Sequence, residues 1–144
     1  MLFDQYAWTV PADSTAVLVP LRSMRDGKRR LTSVLDERSR AELIATMAAR
    51  VIAAAHDLDV FVVHDEDDVA MWAATHGALA IRPEVPGLNE AVTYGCDHLR
   101  TRGYRRAIIA HADLPLAEDL RVVITESPVA IVTDRYRDLS LIHI

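Results

Sequence analysis

Thr15–Pro20, TAVLVP, is apolar at consecutive positions rather than at alternate ones, is rich in β-branched residues, and stops at a proline. A run of that kind is a strand covered on both faces, the situation of a central strand in a parallel sheet. It demands helices above and below, and the rest of the chain alternates similar runs with helical stretches. Residues 39–57 (SRAELIATMAARVIAAAHD) contain no Gly or Pro and repeat apolar residues at three and four through Leu43, Ile44, Met47, Val51, Ile52 and Ala55. That is the spacing of an amphipathic helix. Further strands are expected at residues 58–63, 78–82, 106–112 and 128–132. Helices are expected at 65–74 and 88–102, the second ending at Gly103, with a helical turn at 116–121. Residues 1–14 show no clean period and read as an extended arm. The expected fold class is therefore α/β in three layers, a mostly parallel sheet with helices on both faces, in a single domain.

Several function classes are excluded at this level. The single cysteine, Cys96, admits no internal disulfide, which points to a reducing compartment. The longest apolar stretches, such as residues 51–55, fall far short of the ~18 residues of a membrane span. The N-terminus carries Asp4 and no basic segment, unlike a secretory signal, so a cytoplasmic location is expected. The net charge of −5 is unevenly spread: residues 20–40 hold seven basic against three acidic residues, or +4, leaving −9 for the remainder. An acidic body does not bind nucleic acid non-specifically. One concentrated basic segment instead suits a small anionic ligand.

In an open α/β sheet the ligand lies beyond the carboxyl ends of the strands, which selects the loops after Val19, Val63, Ile81 and Ala110. The first, PLRSMRDGKRRL (residues 20–31), offers Arg22, Lys28 and Arg30 to a polyphosphate, with backbone N–H groups near Gly27; its bland alternative is a solvated basic loop. It has neither the spacing of a Walker A loop nor that of a dinucleotide fingerprint. The last, His111-Ala112-Asp113-Leu114-Pro115, places at a strand end an aspartate suited to Mg²⁺, or else to capping the following turn. Between them, Gly87-Leu88-Asn89 opens a helix, where Asn89 either caps that helix or hydrogen-bonds a nucleobase or ribose. The acidic run at residues 64–68 reads as a helix start rather than a metal site. Cys96 reads as core, and Ser23 lacks the context of a hydrolase nucleophile.

VPLRSMRDGKRRL, RAELIATMAARVI, GLNEAV and HADLPLAEDL, in that order, resemble the CofC family, the 2-phospho-L-lactate or phosphoenolpyruvate guanylyltransferases of coenzyme F-420 biosynthesis. The resemblance runs from about Val17 to Arg135. It implies a MobA-like, Rossmann-like nucleotidyltransferase fold and transfer of GMP from GTP to the phosphate of a small phosphorylated acid, with release of pyrophosphate. It further implies that Lys28, Arg30 and, more weakly, Arg22 bind the GTP phosphates. Gly87, Leu88 and Asn89 would contact the guanosine, and Asp113 would hold Mg²⁺. The partners are then GTP and a phosphorylated carboxylic acid, with no nucleic acid and no membrane. Alternatives are a related nucleotidyltransferase with another phosphorylated acceptor, or a non-catalytic α/β nucleotide-binding or regulatory module.

The chain departs from the family pattern at its end. Where an aspartate followed by Gly-Thr-Asn and a further half-domain belongs, it reads Thr133-Asp134-Arg135-Tyr136-Arg137-Asp138 and then LSLIHI. The expectation is that residues 1–138 are the N-terminal part of one guanylyltransferase domain. Residues 139–144, which resemble the translation of a transposase mosaic-end adapter, are expected to be a non-native tail, the alternative being a natural strand that ends the domain. A chain so truncated is expected to be inactive.

Overall fold

The computed structural model describes residues 14–133 and 139–143. Thr15–Pro20 is strand β1, buried at all six positions, as its unbroken apolar run requires. A 3-10 turn at Arg29–Leu31 leads into helix α1 (Glu37–Ala53). There follow β2 (Asp59–Val63), α2 (Asp67–Thr75), β3 (Leu79–Ile81), α3 (Leu88–Thr101) and β4 (Arg106–Ala110). A second 3-10 turn at Leu120–Val123 precedes β5 (Ala130–Thr133) and β6 (Leu139–His143).

The strands form one sheet in the order β3-β2-β1-β4-β6-β5. β1 pairs in parallel with β2 and with β4, and β2 with β3; β6 runs antiparallel between β4 and β5. Right-handed crossovers decide the layers. The chain steps outward from β1 to β3 with α1 and α2 on one face, then returns past β1 to β4 with α3 on the other. The side-chain alternation agrees: Val17 and Val19 pack with Ile44, Ala48 and Val51 of α1 and Val69 of α2. Ala16 and Leu18 pack with Ala91 and Leu99 of α3. Strand order thus reverses between β1 and β4, and the carboxyl ends of these two strands flank the crevice where an open α/β sheet takes its ligand.

Several element boundaries differ from expectation for identifiable reasons. α1 begins at Glu37 because Asp36 caps it, its side chain accepting from the Ser39 N–H at 2.7 Å, and that bond holds the Asp36 carboxyl below its ordinary pKa. It stops at Ala53, after which His56 takes a left-handed φ of 54°. β4 ends at Ala110 rather than residue 112, which frees His111, Ala112 and Asp113 as loop. The turn expected at 116–121 forms instead at Leu120–Val123, where Asp119 accepts from the Arg121 N–H. β5 starts at Ala130, since Pro128 has no N–H for a ladder. α3 ends before Gly103, whose φ of 96° is the left-handed stop expected of glycine.

No helix among the described residues is long and apolar enough to cross a membrane. The expected arm at 1–14 falls almost wholly outside the described residues, as does the departure at 134–138. Residues 139–143, expected to be a foreign tail, are placed in the sheet as β6.

Candidate functional site

The loop after β1 is anchored by its apolar members. Leu21 and Met24 are buried in the core with Ile44. Ser23 Oγ accepts the N–H groups of Arg25 and Asp26 at 3.1 and 3.2 Å, which winds the loop locally. At Gly27 a Cβ would stand 2.5 Å from Ile44 Cδ1, so glycine lets the loop lie directly on α1. Lys28 then adopts φ 56°, ψ 38°, a left-handed conformation that a side chain with Cβ takes only at a cost. From there its Nζ donates to Asp113 Oδ2 at 2.8 Å.

That bond crosses the switch point from the end of β1 to the end of β4. Around it opens a cleft of about 780 Å³. Its walls carry Arg22, Lys28 and Arg29, the carboxylates Asp26, Asp65, Glu66 and Asp113, and His111. Burial raises the Asp113 carboxyl, but the Lys28 hydrogen bond and charge, with His111 adding, outweigh it and hold the group below the usual carboxylate range. Asp113 is therefore an ionised acceptor at neutral pH, turned toward a cation and half exposed.

A second set of ion pairs ties the neighbouring loops together. Arg22 donates through Nε to Asp65 Oδ2 at 2.8 Å, and the Asp65 N–H donates back to the Arg22 carbonyl at 3.2 Å. Arg82, just past β3, donates to Asp67 Oδ1 at 2.9 Å and to the Asp65 carbonyl at 2.6 Å. Arg25 lies 3.8 Å from Asp68. These contacts are largely exposed and each stabilises the fold by about 1 kcal/mol or less. Their effect is positional, fixing the loop after β1 against that after β2.

The structure therefore brings Arg22, Lys28 and Asp113 together in one cleft. Arg30 is exposed on the 3-10 turn and does not line it; Arg29 does. Among the described residues no backbone N–H of the following turn donates to the Asp113 side chain, whose Oδ2 accepts from Lys28. Gly87, at φ 131°, is the N-cap of α3, so Asn89 is not the cap. Asn89 instead lines a separate groove of about 400 Å³ with Pro83, Glu84, Val85, Thr93 and Tyr94. The acidic run at 64–68 is a helix start, with Asp67 and Asp68 in the first turn of α2. Among the described residues no three His, Cys, Asp or Glu side chains converge as a metal cage. Cys96 packs beside the α3 face of the core, and burial, ahead of Asp97, raises its thiol pKa, so it is no ready nucleophile. Arg29, Asp65, Glu66 and His111 are cleft residues that sequence reasoning passed over. Only their positions just beyond the ends of β1, β2 and β4 marked them.

With this geometry in view, the likeness to known proteins is informative. A family profile described as guanylyl transferase CofC like matches residues 15–139. The phosphoenolpyruvate guanylyltransferase of Sphaerobacter thermophilus is 30% identical over 132 residues, covering 85% of this chain and 64% of that protein. The protein of the same name from Rubrobacter xylanophilus is 34% identical over 128 residues, covering 83% and 62%. The chain thus spans just under two thirds of the length of these relatives. In fold it is similar to a crystal structure from Desulfovibrio desulfuricans G20 described as a nucleotide-diphospho-sugar transferase. The TM-score is 0.74 at 17% identity, over 91% of this chain and 63% of that one.

Proposed function

The chain belongs to the CofC-like guanylyl transferases, and on that premise we propose that the full-length protein transfers GMP from GTP to the phosphate of a small phosphorylated acid. Phosphoenolpyruvate, the acceptor in the names of both relatives, is the acceptor to test first, and 2-phospho-L-lactate the alternative. The place proposed for the reaction is cytoplasmic coenzyme F-420 biosynthesis.

The observation that carries this reading is the Lys28–Asp113 pair, 2.8 Å long, at the switch point of the sheet. Transfer of a nucleotidyl group needs positioning and charge neutralisation more than a protein nucleophile. An oxygen of the acceptor phosphate, already ionised, attacks the α-phosphorus of GTP. The bond from that phosphorus to the bridging oxygen breaks, and pyrophosphate leaves with the electron pair. Lys28 holds the phosphates by its ammonium, with Arg22 and Arg29 on the cleft wall as the further cations proposed for them, in place of the Arg30 expected from the sequence. Gly87, Leu88 and Asn89, just past β3, are proposed to contact the guanosine.

Asp113 fits a magnesium ion as a single ionised carboxylate facing open space, because Mg²⁺ takes few protein carboxylates and completes its shell with phosphates and water. When bound, the ion would neutralise charge growing on the leaving pyrophosphate.

The test is thermal melting of the full-length protein with GTP and Mg²⁺, where binding raises stability by RT ln(1 + [L]/Kd), alongside pyrophosphate release with phosphoenolpyruvate. Asp113→Ala is expected to lower pyrophosphate release by at least about 100-fold, the scale of losing one electrostatic stabiliser. Full release in that variant removes Asp113 from the mechanism. No melting shift with any nucleotide favours a non-catalytic module.

A further inference from the structure

We infer that Glu66 reads the base edge of the nucleotide and selects guanine, a proposal that rests on the guanylyltransferase reading and assigns its specificity to one side chain. Of the four carboxylates lining the cleft, three have cations of their own. Asp113 meets Lys28 and Asp65 meets Arg22, both at 2.8 Å, and Asp26 faces Arg29 at 3.9 Å. The fourth, Glu66, is half-buried, and among the described residues its side chain makes no hydrogen bond or ion pair. It occupies the N-cap position of α2, yet its side chain caps nothing.

An unpartnered carboxylate beside a polyphosphate is repulsive unless the ligand also offers it donors. Its presence in this cleft makes sense for a ligand that brings donors to it. A carboxylate is acceptor-only, with two oxygens side by side. Guanine presents N1–H and the 2-amino group side by side, which matches that pair of oxygens. Adenine presents a bare N1 at the same place and is repelled.

The topology sets the distance. β2 and β4 flank β1, so their ends stand two strand spacings, about 10 Å, apart. Val63 is level with Pro20, and Ile109 with Leu18, so Glu66 and Asp113 project beyond the same edge of the sheet. A nucleoside triphosphate laid across that edge puts its phosphates at Lys28 and its base on the β2 side.

Calorimetric titration of the full-length protein and of Glu66→Ala with GTP, ITP and ATP, each with Mg²⁺, tests this. ITP keeps N1–H and lacks the 2-amino group, so the wild type is expected to bind GTP most tightly, then ITP, then ATP. In Glu66→Ala, GTP is expected to weaken about 10- to 150-fold, the scale of hydrogen bonds to a charged group, and the three nucleotides to converge. An unchanged melting temperature for the free variant shows that it folds. A preserved GTP-to-ITP ratio overturns the proposal. So does equal weakening of all three nucleotides, which assigns Glu66 to the ribose or the metal. If the wild type binds none of the three, the guanylyltransferase reading fails and this one with it.

Discussion

Lys28 combines backbone strain with the charge proposed to hold the phosphates. Its left-handed φ of 56° costs roughly 1–2 kcal/mol for a residue with Cβ. That cost persists because the Asp113 bond and the Leu31 N–H, which donates to the Lys28 carbonyl at 2.8 Å, both require the conformation. A comparison of two substitutions separates strain from charge. Lys28→Ala and Lys28→Gly lose the same ammonium, but glycine relieves the backbone, at an unfolded-state entropy cost of about 0.4–1 kcal/mol. Relief wins by a small margin, so Lys28→Gly is expected to be about 0.5–1 kcal/mol more stable than Lys28→Ala by chemical denaturation. Alanine equal to or better than glycine would show that the loop relaxes without Lys28. None of this strain was legible in the sequence, where Lys28 was one cation among several. Its partner lies 85 residues away, and local pattern carries no information about such a pairing.

At the scale of elements, legibility followed burial. TAVLVP and the helical repeat of α1 were readable because a covered strand and an amphipathic helix each impose a period on the sequence. The 3-10 turn at Leu120–Val123 was displaced from expectation because its position depends on tertiary bonds. The Leu120 N–H donates to the Ala54 carbonyl at 2.8 Å, and Arg121 reaches both Asp119 and Asp57. α3 offers a sharper example in Gly95, which reads as a defect in a helix. Its Cβ would lie 2.5 and 2.6 Å from the two methyls of Leu18 and 3.1 Å from its Cγ. Leu18 is fully buried in the central strand and has no room to move. Alanine gains about 1 kcal/mol of helix propensity, against roughly 1–3 kcal/mol for overpacking a closed core. With three contacts below ordinary distance, the upper part of that range applies. Gly95→Ala is expected to destabilise the protein by about 1–2 kcal/mol in urea denaturation, and a stabilised variant would mean that α3 can lift off β1.

For the whole molecule, the charge distribution changes meaning once the chain is folded. Along the sequence, residues 20–40 carry +4 and look like a magnet for phosphate. In the fold, Arg22 and Lys28 meet acids from the loops after β2 and β4, 43 and 85 residues distant. The cleft wall then holds three cations and four carboxylates, inside a chain of net charge −5. A linear count cannot see this, because the cancelling acids arrive by topology. The consequence concerns how a polyanion enters. Each like charge about 10 Å away costs about 0.4 kcal/mol in water, and several such charges disfavour free GTP, which carries four. Its magnesium complex carries about half that charge, and on the proposed assignment the ion would meet Asp113 while Lys28 turns to the phosphates. The repulsion from distant acids is also what salt removes first, since the screening length falls from about 30 Å at 0.01 M to about 10 Å at 0.1 M. GTP with EDTA is therefore expected to bind at least about tenfold more weakly than GTP with Mg²⁺. That deficit should narrow as salt rises from 0.01 to 0.1 M, as read by calorimetry on the full-length protein. Equal binding with and without the metal, or a deficit that widens with salt, would mean that the basic loop alone attracts the nucleotide.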